Sequence, residues 1–168
     1  MSSGGTIVLR GPTVDDGRAI HDLVRRSALD ENSPYAYLLA ATHFSDTSVV
    51  AEDETGRVVG FVVAYRPPET PEALFVWQVG VDESARRRGL GRRLLDAATE
   101  RPGARDARFL TATVTPANDA SMRLFRSFAE AREAPFERFP SHFTREHFGD
   151  AGHEPEDLVR IGPWENRG

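Results

Sequence analysis

The feature that most constrains the fold is a nine-residue apolar run, Ala73–Val81, followed by an arginine- and glycine-rich loop and then by a helix pattern. The run is mostly apolar on both faces, which predicts a strand that is central in its sheet. Gly89 and Gly91 open the helix, Pro102-Gly103 ends it, and Phe109–Val114 predicts the next strand. Because β-to-α-to-β steps build a parallel unit, we expect an α/β sheet with helices on its faces.

Polar caps, chain breakers and hydrophobic spacing predict the other elements. In chain order these are a strand at Ile7–Arg10, a helix from the N-cap Thr13 to about Leu29, a helix starting at Ser33-Pro34, a hairpin of Ser48–Ala51 with Val58–Tyr65, a helix starting at Asn118, and a last strand at Leu158–Ile161. Gly80, inside the apolar run, indicates a bulge or a close approach by another segment. We expect one domain over residues 7–163, with a disordered N-terminus over residues 1–6 and a tail over residues 164–168.

The composition excludes several classes of function. All 21 cationic side chains are Arg, and the 168 residues include no Cys, which excludes disulfides, cysteine-ligated metal centres and a cysteine nucleophile. A net charge of −5 argues against nucleic acid as the main partner. The start of the chain has no leader pattern, and no run approaches the roughly 18 apolar residues of a membrane span. We expect a cytoplasmic protein that holds no metal and binds neither nucleic acid nor membranes.

The loop between the central strand and the next helix predicts an anion-binding site. The first N–H groups of a helix lack partners within it, and the helix dipole favours negative charge at that end. Five arginines add charge-assisted donors to this helix start: Arg86, Arg87, Arg88, Arg92 and Arg93. A solvated basic helix start is the alternative. The spacing Arg-x-x-Gly-x-Gly directly after a strand favours phosphate, and the loop lacks the Lys of a Walker A loop and the third Gly of a dinucleotide-binding turn.

Two motifs carry a resemblance to a known superfamily. The spacing Arg86-x-x-Gly89-x-Gly91 after the strand Trp77–Val81 resembles the acetyl-CoA-binding motif of the GCN5-related N-acetyltransferase superfamily. Thr115–Asn118, followed by Ser121 and Leu124-Phe125, is similar to that superfamily's strand-to-helix segment beside the pantetheine. More narrowly, six strings resemble the diaminobutyrate acetyltransferase family of ectoine biosynthesis: Asp30–Tyr37, Tyr65–Pro68, Leu74–Val81, Ala112–Pro116, Gly152–Glu154 and Val159–Gly162. The match runs from about Leu9 to Pro163.

The resemblance implies a fold, a reaction and an assembly. The fold is α/β, or α+β by some schemes: a single-domain N-acetyltransferase with a central mixed twisted sheet of six to seven strands and helices on both faces. The reaction is direct transfer of acetyl from acetyl-CoA to the γ(N4)-amine of L-2,4-diaminobutyrate in a ternary complex, and the assembly is a homodimer. Two alternatives are an acetyltransferase for another small amine or a protein N-terminus, and a non-catalytic acetyl-CoA-binding module.

The resemblance also assigns roles in binding acetyl-CoA. Backbone amides at Val79 and Val81, on either side of Gly80, would pair with the pantetheine and stabilise the thioester oxygen as it becomes an oxyanion. The pyrophosphate would bind the backbone amides from Arg87 to Arg92. The cofactor-binding residues of this loop are Arg86, Arg87, Arg88, Gly89, Leu90, Gly91 and Arg92. Asn118, Ser121 and Phe125 would contact the pantetheine from the strand-to-helix segment.

Proton transfer is the second chemical requirement. A free primary amine is mostly protonated at neutral pH, so a base or a chain of water molecules has to take its proton before it attacks. Candidates for the base are His153, Glu154 and Glu156. Many members of the superfamily use a Tyr in the last helix to protonate the leaving thiolate, but Phe125 stands at the matching position. The acid is left open between water and a hydroxyl such as Ser121 or Tyr35.

The charges of diaminobutyrate indicate the acceptor pocket. The molecule has one carboxylate and two ammonium groups, so a specific pocket should offer acids for the α-ammonium and a cation or amides for the carboxylate. The candidate walls are Asp30, Asn32, Tyr35, Trp77, His153, Glu154 and Glu156. Arg66 is a candidate for the carboxylate, or alternatively a residue of a surface ion pair.

Overall fold

The computed structural model describes residues 5–165. In chain order the elements are β1 (Val8–Arg10), α1 (Asp16–Arg25), α2 (Pro34–His43), β2 (Val49–Glu52), β3 (Val58–Tyr65), β4 (Ala73–Val81), α3 (Leu90–Glu100), β5 (Phe109–Val114), α4 (Asp119–Ala131), β6 (Phe136–Phe143), α5 (Arg145–Phe148) and β7 (Glu156–Ile161). The strands follow the order β1-β2-β3-β4-β5-β7-β6 in one sheet. β4 and β5 are parallel, whereas β1–β2, β2–β3, β5–β7 and β7–β6 are antiparallel. The predicted mixed α/β sheet is confirmed, and the apolar run has the bounds that the sequence predicts.

The described residues form two compact units. The first unit contains the chain up to Tyr65 together with Gln78–Arg105, and the second contains Arg66–Trp77 together with the chain from Asp106 onward. Within residues 5–165 no helix has the length and apolar character needed to cross a membrane.

Helices cover both faces of β3 in the first unit. Phe61 packs in a core with Leu23 of α1 and Tyr37 of α2, all of them fully buried. The neighbouring Gly60 faces Leu90 and Leu94 of α3, whose side chains lie 3.2 Å from the position of a Cβ at Gly60. Successive residues of a strand point to opposite faces, so α1 and α2 cover one face of β3 and α3 covers the other.

The first helix differs from its sequence prediction at both ends. Thr13 is not its N-cap: α1 begins at Asp16, whose Oδ2 accepts from the N–H of Thr13 at 2.7 Å. The helix ends at Arg25 rather than near Leu29. The next residues leave the helical path to make long-range contacts, including the ion pair of Arg26 with Asp82 at 2.7 Å. By contrast, the predicted start of α2 is confirmed, since the Ser33 side chain accepts from the N–H of residue 36 at 3.2 Å.

The second unit contains one strand that the sequence does not predict. β6 forms the edge of the sheet beside β7, and its residues are mostly exposed. Its register shifts between Phe139 and Phe143, where Ser141 has φ +50°. The sequence does not predict this strand because it contains Pro140 and has no alternating apolar face. Both features are typical of edge strands.

The sequence predicts a disordered N-terminus and a C-terminal tail, and the structure describes only part of each. Residues 1–4 of the predicted disordered N-terminus and residues 166–168 of the predicted tail lie outside the described residues. Trp164, which falls within the predicted tail, is buried, and its ring meets that of Phe128 edge-on at 5.8 Å between centroids. The guanidinium of Arg132 lies over both rings, at 4.6 Å from Phe128 and 4.9 Å from Trp164. The domain bounds 7–163 stay a prediction.

Candidate functional site

The arginine loop, defined here as residues 82–92, has an irregular backbone that leads into α3. A 3₁₀ turn at Glu83–Ala85 is followed by Arg86 in an extended conformation. Arg87 and Gly89 then have φ values of +63° and +67°, and Gly89 is the left-handed N-cap of α3. A non-glycine residue in this region is strained and is most often found in functional loops. The N–H groups at the start of α3 therefore emerge from a loop whose backbone is held in an uncommon conformation.

Asp82 holds the start of this loop. Its carboxylate accepts from the N–H and the hydroxyl of Ser84 at 3.0 and 2.6 Å. It also accepts from Arg26 at 2.7 Å and from Arg57 at 3.4 Å. Burial raises the pKa of Asp82, but the hydrogen bonds from Ser84 and Arg26 outweigh burial and bring the pKa to about 2. Sequence reasoning did not identify Asp82, because its cationic partners are remote in sequence.

The arginines of the loop are exposed, whereas the first residue of the helix is buried. Arg88 donates to the carbonyl of Gly5 at 2.8 Å, and Arg92 lies 3.8 Å from Asp96. Leu90 is 2% exposed and packs against β3. Leu90 can therefore serve an anion only through its backbone N–H, while the arginine side chains are available at the surface.

The end of β4 approaches other segments of the first unit closely. A Cβ at Gly80 would lie 2.6 Å from Leu29 Cδ1 and 2.8 Å from Phe61 Cε1. This confirms the predicted close approach at Gly80, while the predicted bulge stays a prediction. Val79 and Val81 are half-buried. The N–H of Asp82, directly after the strand, donates to the carbonyl of Val59 at 2.8 Å.

The acceptor loop, defined here as residues 26–33, joins α1 to α2. Gln78 donates to the carbonyl of Asp30 at 2.9 Å, and Glu31 accepts from His21 at 3.0 Å. Asn32 is half-buried and Tyr35 is 67% exposed. The structure thus brings Asp30 to the end of β4, but Tyr35 lies at the surface of the first turn of α2. Sequence reasoning missed Gln78, since a polar residue inside an apolar strand gives no periodic signal.

The predicted site residues are divided between the two units. The first unit contains Asp30, Asn32, Tyr35, Val79, Gly80, Val81, Arg86, Arg87, Arg88, Gly89, Leu90, Gly91 and Arg92, and the second contains Trp77, Asn118, Ser121, Phe125, His153, Glu154 and Glu156.

The helix α4 contains the predicted pantetheine contacts of the second unit. Asn118 is its N-cap, as predicted, and its Oδ1 accepts from the N–H of Ser121 at 3.1 Å. Because Oδ1 faces the helix, the Nδ2 group is the part of Asn118 that can donate to a ligand. Phe125, also in α4, is 2% exposed.

Trp77, in β4, is 37% exposed although its neighbour Val76 is buried. An exposed Trp beside buried strand residues is a good candidate for a ligand contact.

The candidate bases lie before and within β7. The ring of His153 stacks on that of Phe148 at 4.1 Å between centroids, and its Nδ1 lies 2.6 Å from the carbonyl oxygen of Glu154. A carbonyl only accepts, so Nδ1 bears the proton of neutral His153 and Nε2 has the lone pair. Glu154 pairs with Arg145 at 3.2 Å, and Glu156 accepts from the Thr113 hydroxyl at 3.1 Å.

The candidate for the substrate carboxylate is already in an ion pair. Arg66 lies 2.7 Å from Asp106 and also donates to the carbonyl of Pro71. The arginine lowers the pKa of Asp106 through its hydrogen bond and its charge. Of the two readings of Arg66, the structure favours the ion pair. Among residues 5–165, no three His, Asp or Glu side chains are close enough together to hold a metal ion.

Comparison with known proteins identifies the family. The model of the Acetyltransferase (GNAT) family matches residues 18–129, which include most of α1 and the whole arginine loop. The chain belongs to this family. It is 48% identical to the L-2,4-diaminobutyric acid acetyltransferase of Chromohalobacter salexigens, over 98% of this chain and 85% of that protein. It is 45% identical to the enzyme of the same name from Marinococcus halophilus, over 95% of this chain and 91% of that protein.

A solved structure is similar over nearly the whole chain. It is the diaminobutyrate acetyltransferase of Paenibacillus lautus in complex with its substrate L-2,4-diaminobutyric acid and coenzyme A. The two chains are 41% identical, with a TM-score of 0.90 over 97% of this chain and 98% of that one. This similarity confirms the predicted single-domain acetyltransferase fold.

Proposed function

We propose that this protein transfers acetyl from acetyl-CoA to the γ(N4)-amine of L-2,4-diaminobutyrate, giving N4-acetyl-L-2,4-diaminobutyrate and CoA in ectoine biosynthesis. The observation that carries this proposal is the nearly full-length similarity to diaminobutyrate acetyltransferases, one of them solved with that amino acid and coenzyme A. The arginine loop offers guanidinium groups and a helix N-terminus to the phosphates of acetyl-CoA, and it lies within the residues that the family model matches.

Two kinds of donor in the first unit bind the cosubstrate. The N–H groups from Arg87 to Arg92 and the exposed arginines bind the pyrophosphate, because a helix N-terminus and guanidinium groups both favour phosphate. The amides of Val79 and Val81 bind the pantetheine and stabilise the oxyanion of the tetrahedral intermediate. Neither role requires a covalent bond to the protein.

Proton transfer is assigned to His153. Neutral His153 with its proton on Nδ1 offers Nε2 as the base that takes a proton from the attacking amine. Glu154 and Glu156 remain as groups that bind the ammonium groups of the acceptor. Phe125 has no polar atom, so the departing thiolate takes its proton from water or from the hydroxyl of Ser121 or Tyr35.

The absence of Cys and Lys from the sequence supports direct transfer. Without Cys no cysteinyl acyl-enzyme can form, which favours attack of the bound amine on the thioester over a double displacement. Without Lys no side-chain amine competes with the acceptor. The protein then acts by positioning two substrates and by accepting a proton.

The test is an acetyl-transfer assay with thiol release and mass spectrometry of the product. We expect CoA release only when diaminobutyrate is present, with the acetyl group on N4. A panel of other short diamines and N-terminal peptides separates the proposal from its alternatives within the family. CoA binding without turnover for any amine would instead indicate a non-catalytic binding module, and acetylation of the α-amine would contradict the proposal.

Two substitutions test the acceptor pocket. We expect Asp30→Ala and Trp77→Ala each to raise the KM for diaminobutyrate more than the KM for acetyl-CoA, since these residues are assigned to the acceptor. Glu54→Ala is a suitable control, because Glu54 lies in the exposed turn between β2 and β3. If both substitutions changed only acetyl-CoA kinetics, the assigned acceptor pocket would be wrong.

A homodimer is part of the proposal. The edge strand β6 exposes Phe139 and Phe143, each 40% exposed, and apolar surface of this kind is typical of protein contacts. We expect a dimer by analytical ultracentrifugation, shifted towards monomer by Phe139→Glu. Val14→Glu, at a 55% exposed apolar residue of the first unit, is the control. A role in making an osmoprotectant and a location in the cytoplasm stay predictions, tested by ectoine content after gene deletion and by cell fractionation.

A further inference from the structure

Gln78 bridges two segments of the first unit through its side-chain amide. Its Nε2 donates to the carbonyl of Asp30 at 2.9 Å, and its Oε1 accepts from the Tyr37 hydroxyl at 2.9 Å. A carbonyl oxygen only accepts, so the nitrogen of the amide must face Asp30 and the oxygen must face Tyr37. The orientation of the Gln78 amide is therefore determined by its partners.

Tyr37 connects the Gln78 amide to the hydrophobic core of the first unit. Its side chain is fully buried among residues of α1, α2 and β3, and a buried hydroxyl is unfavourable unless it is hydrogen-bonded. Gln78 accepts that hydroxyl with one end of its amide and holds the acceptor loop with the other. The position of Asp30 is thus linked to the hydrophobic core of the first unit.

Two residues of β4, Gln78 and Gly80, and Asp82 directly after the strand contact the same loop. Side chains two residues apart in a strand point to one face, which places Gln78, Gly80 and Asp82 on a common side. Along that side the partners are, in order, the carbonyl of Asp30, the side chain of Leu29 and the guanidinium of Arg26. The acceptor loop therefore lies along β4 with three contacts, and Gln78 makes the contact nearest to the assigned acceptor residue.

We propose that Gln78 is a positioning residue that sets the affinity for the acceptor, by holding the backbone of Asp30 where its carboxylate meets an ammonium group of a short diamino acid. This inference rests on the proposed function, since it deepens the role given there to Asp30. The hydrogen bond engages the carbonyl of Asp30 rather than its carboxylate. Loss of Gln78 consequently displaces the recognising group without removing it.

Gln78→Met tests the proposal, with Tyr37→Phe as its matched control. Met has similar length and no charge and makes neither hydrogen bond, whereas Tyr37→Phe removes the buried hydroxyl and keeps the donor to Asp30. We expect Gln78→Met to raise the KM for diaminobutyrate about tenfold, the factor of a lost hydrogen bond to a positioned group, with the KM for acetyl-CoA within about twofold. For Tyr37→Phe we expect less than about a threefold rise.

A double variant keeps the test decisive if Gln78→Met folds poorly. Tyr37→Phe/Gln78→Met replaces both partners by apolar groups, which leaves no buried hydroxyl unpaired, and its expected KM for diaminobutyrate is that of Gln78→Met. In an Asp30→Ala background, Gln78→Met should change that KM by less than about twofold, because the carboxylate it positions is gone. An unchanged KM in the single variant, or an equal rise in both backgrounds, would overturn the proposal.

Hydrogen–deuterium exchange separates this inference from the proposed function. We expect the amides of residues 27–33 to exchange about tenfold faster in Gln78→Met than in Tyr37→Phe. Equal rates would overturn the role of Gln78 in holding the loop, whatever the substrate. If the unchanged protein acetylated another amine instead, the proposed acceptor would be wrong, and so would the assignment of diaminobutyrate to Asp30. The exchange rates would still show whether Gln78 holds the loop through the carbonyl of Asp30.

Discussion

Two buried aspartates, one in each unit, hold irregular backbone in similar ways. Asp82 accepts from Arg26 and from the N–H of Ser84, and Asp157 accepts from Arg138 at 2.7 Å and from the N–H of Ser141 at 2.9 Å. In both cases burial raises the pKa of the carboxyl group, and the hydrogen bonds outweigh it, so that the pKa lies below its ordinary value.

The surfaces beside these two anchors differ. The segment after Asp82 exposes arginines beside a helix start, whereas the strand held by Asp157 exposes Phe139 and Phe143. A buried carboxylate therefore fixes the backbone of a segment through hydrogen bonds, but the exposed groups determine what the segment can bind. The first surface is the proposed phosphate site, and the second is the proposed dimer contact.

The largest effect is expected at the arginine loop itself. Gly89→Glu places a carboxylate at the proposed phosphate site and a side chain at φ +67°. Like charges brought together at a binding site cost several kcal/mol, so we expect calorimetry to show acetyl-CoA affinity reduced by about a hundredfold or more.

Two controls separate charge from backbone strain at this position. Gly89→Ala has the same strain without the charge, and nothing lies within 4 Å of its Cβ position. Gly56→Glu has the same charge at a positive φ in the turn before β3. Normal affinity in Gly89→Glu, or equal losses in Gly89→Ala, would contradict the assignment of this loop to the phosphates.

The second effect concerns the anchor of that loop. Asp82→Asn removes a buried charge that accepts from two arginines, so we expect the free energy of unfolding at neutral pH to fall by about 2 kcal/mol and acetyl-CoA affinity to fall about tenfold. Because the pKa of Asp82 is lowered from 3.8 to about 2, its stabilising contribution is present above pH 4 and is lost as the pH falls towards 2. Urea unfolding between pH 2 and 6 should show a flatter dependence in the variant.

A smaller effect is expected at the other anchor. Asp157→Asn should lower the free energy of unfolding by about 1 kcal/mol, since Arg138 is partly exposed and the N–H of Ser141 can still donate to the amide oxygen. We expect acetyl-CoA affinity to stay within about twofold and the proposed dimer to dissociate more readily by sedimentation. A large loss of acetyl-CoA affinity would show that the two anchors do not act on separate surfaces.

The smallest effect is expected from relief of strain. Arg87 has φ +63°, which costs a non-glycine residue about 1–2 kcal/mol. Arg87→Gly should therefore leave the free energy of unfolding unchanged or raise it by up to about 1 kcal/mol, as measured by thermal unfolding. Acetyl-CoA affinity should fall about threefold through loss of one exposed cation. A marked loss of stability would show that the Arg87 side chain supports the loop.

Local signals predicted much of the fold. The strand at Ala73–Val81 follows from its continuous apolar run, and the caps Ser33 and Asn118 follow from side chains that satisfy helix N–H groups. The close approach at Gly80 follows from a glycine in a strand. In each case the residue acts on its neighbours in sequence, so the pattern contains the information.

The features that the sequence did not predict depend on contacts between residues that are far apart in the chain. Gln78 and Asp82 hold a loop that lies about 50 residues earlier in the chain, and no periodicity indicates such a pair. The early end of α1 has the same origin, because Arg26 leaves the helix for Asp82. The roles of His153, Glu154 and Glu156 also stay predictions, since their chemistry depends on where the substrates bind.

The alternation along β4 has a consequence for redesign. Gln78, Gly80 and Asp82 contact the acceptor loop, whereas the interleaved residues Trp77, Val79 and Val81 point to the opposite side of the strand. An engineer seeking a new acceptor amine can therefore vary Trp77 while keeping Gln78, Gly80 and Asp82 unchanged. A one-residue insertion in the strand would exchange the two sets, so altered variants should be built by substitution and never by a change in strand length.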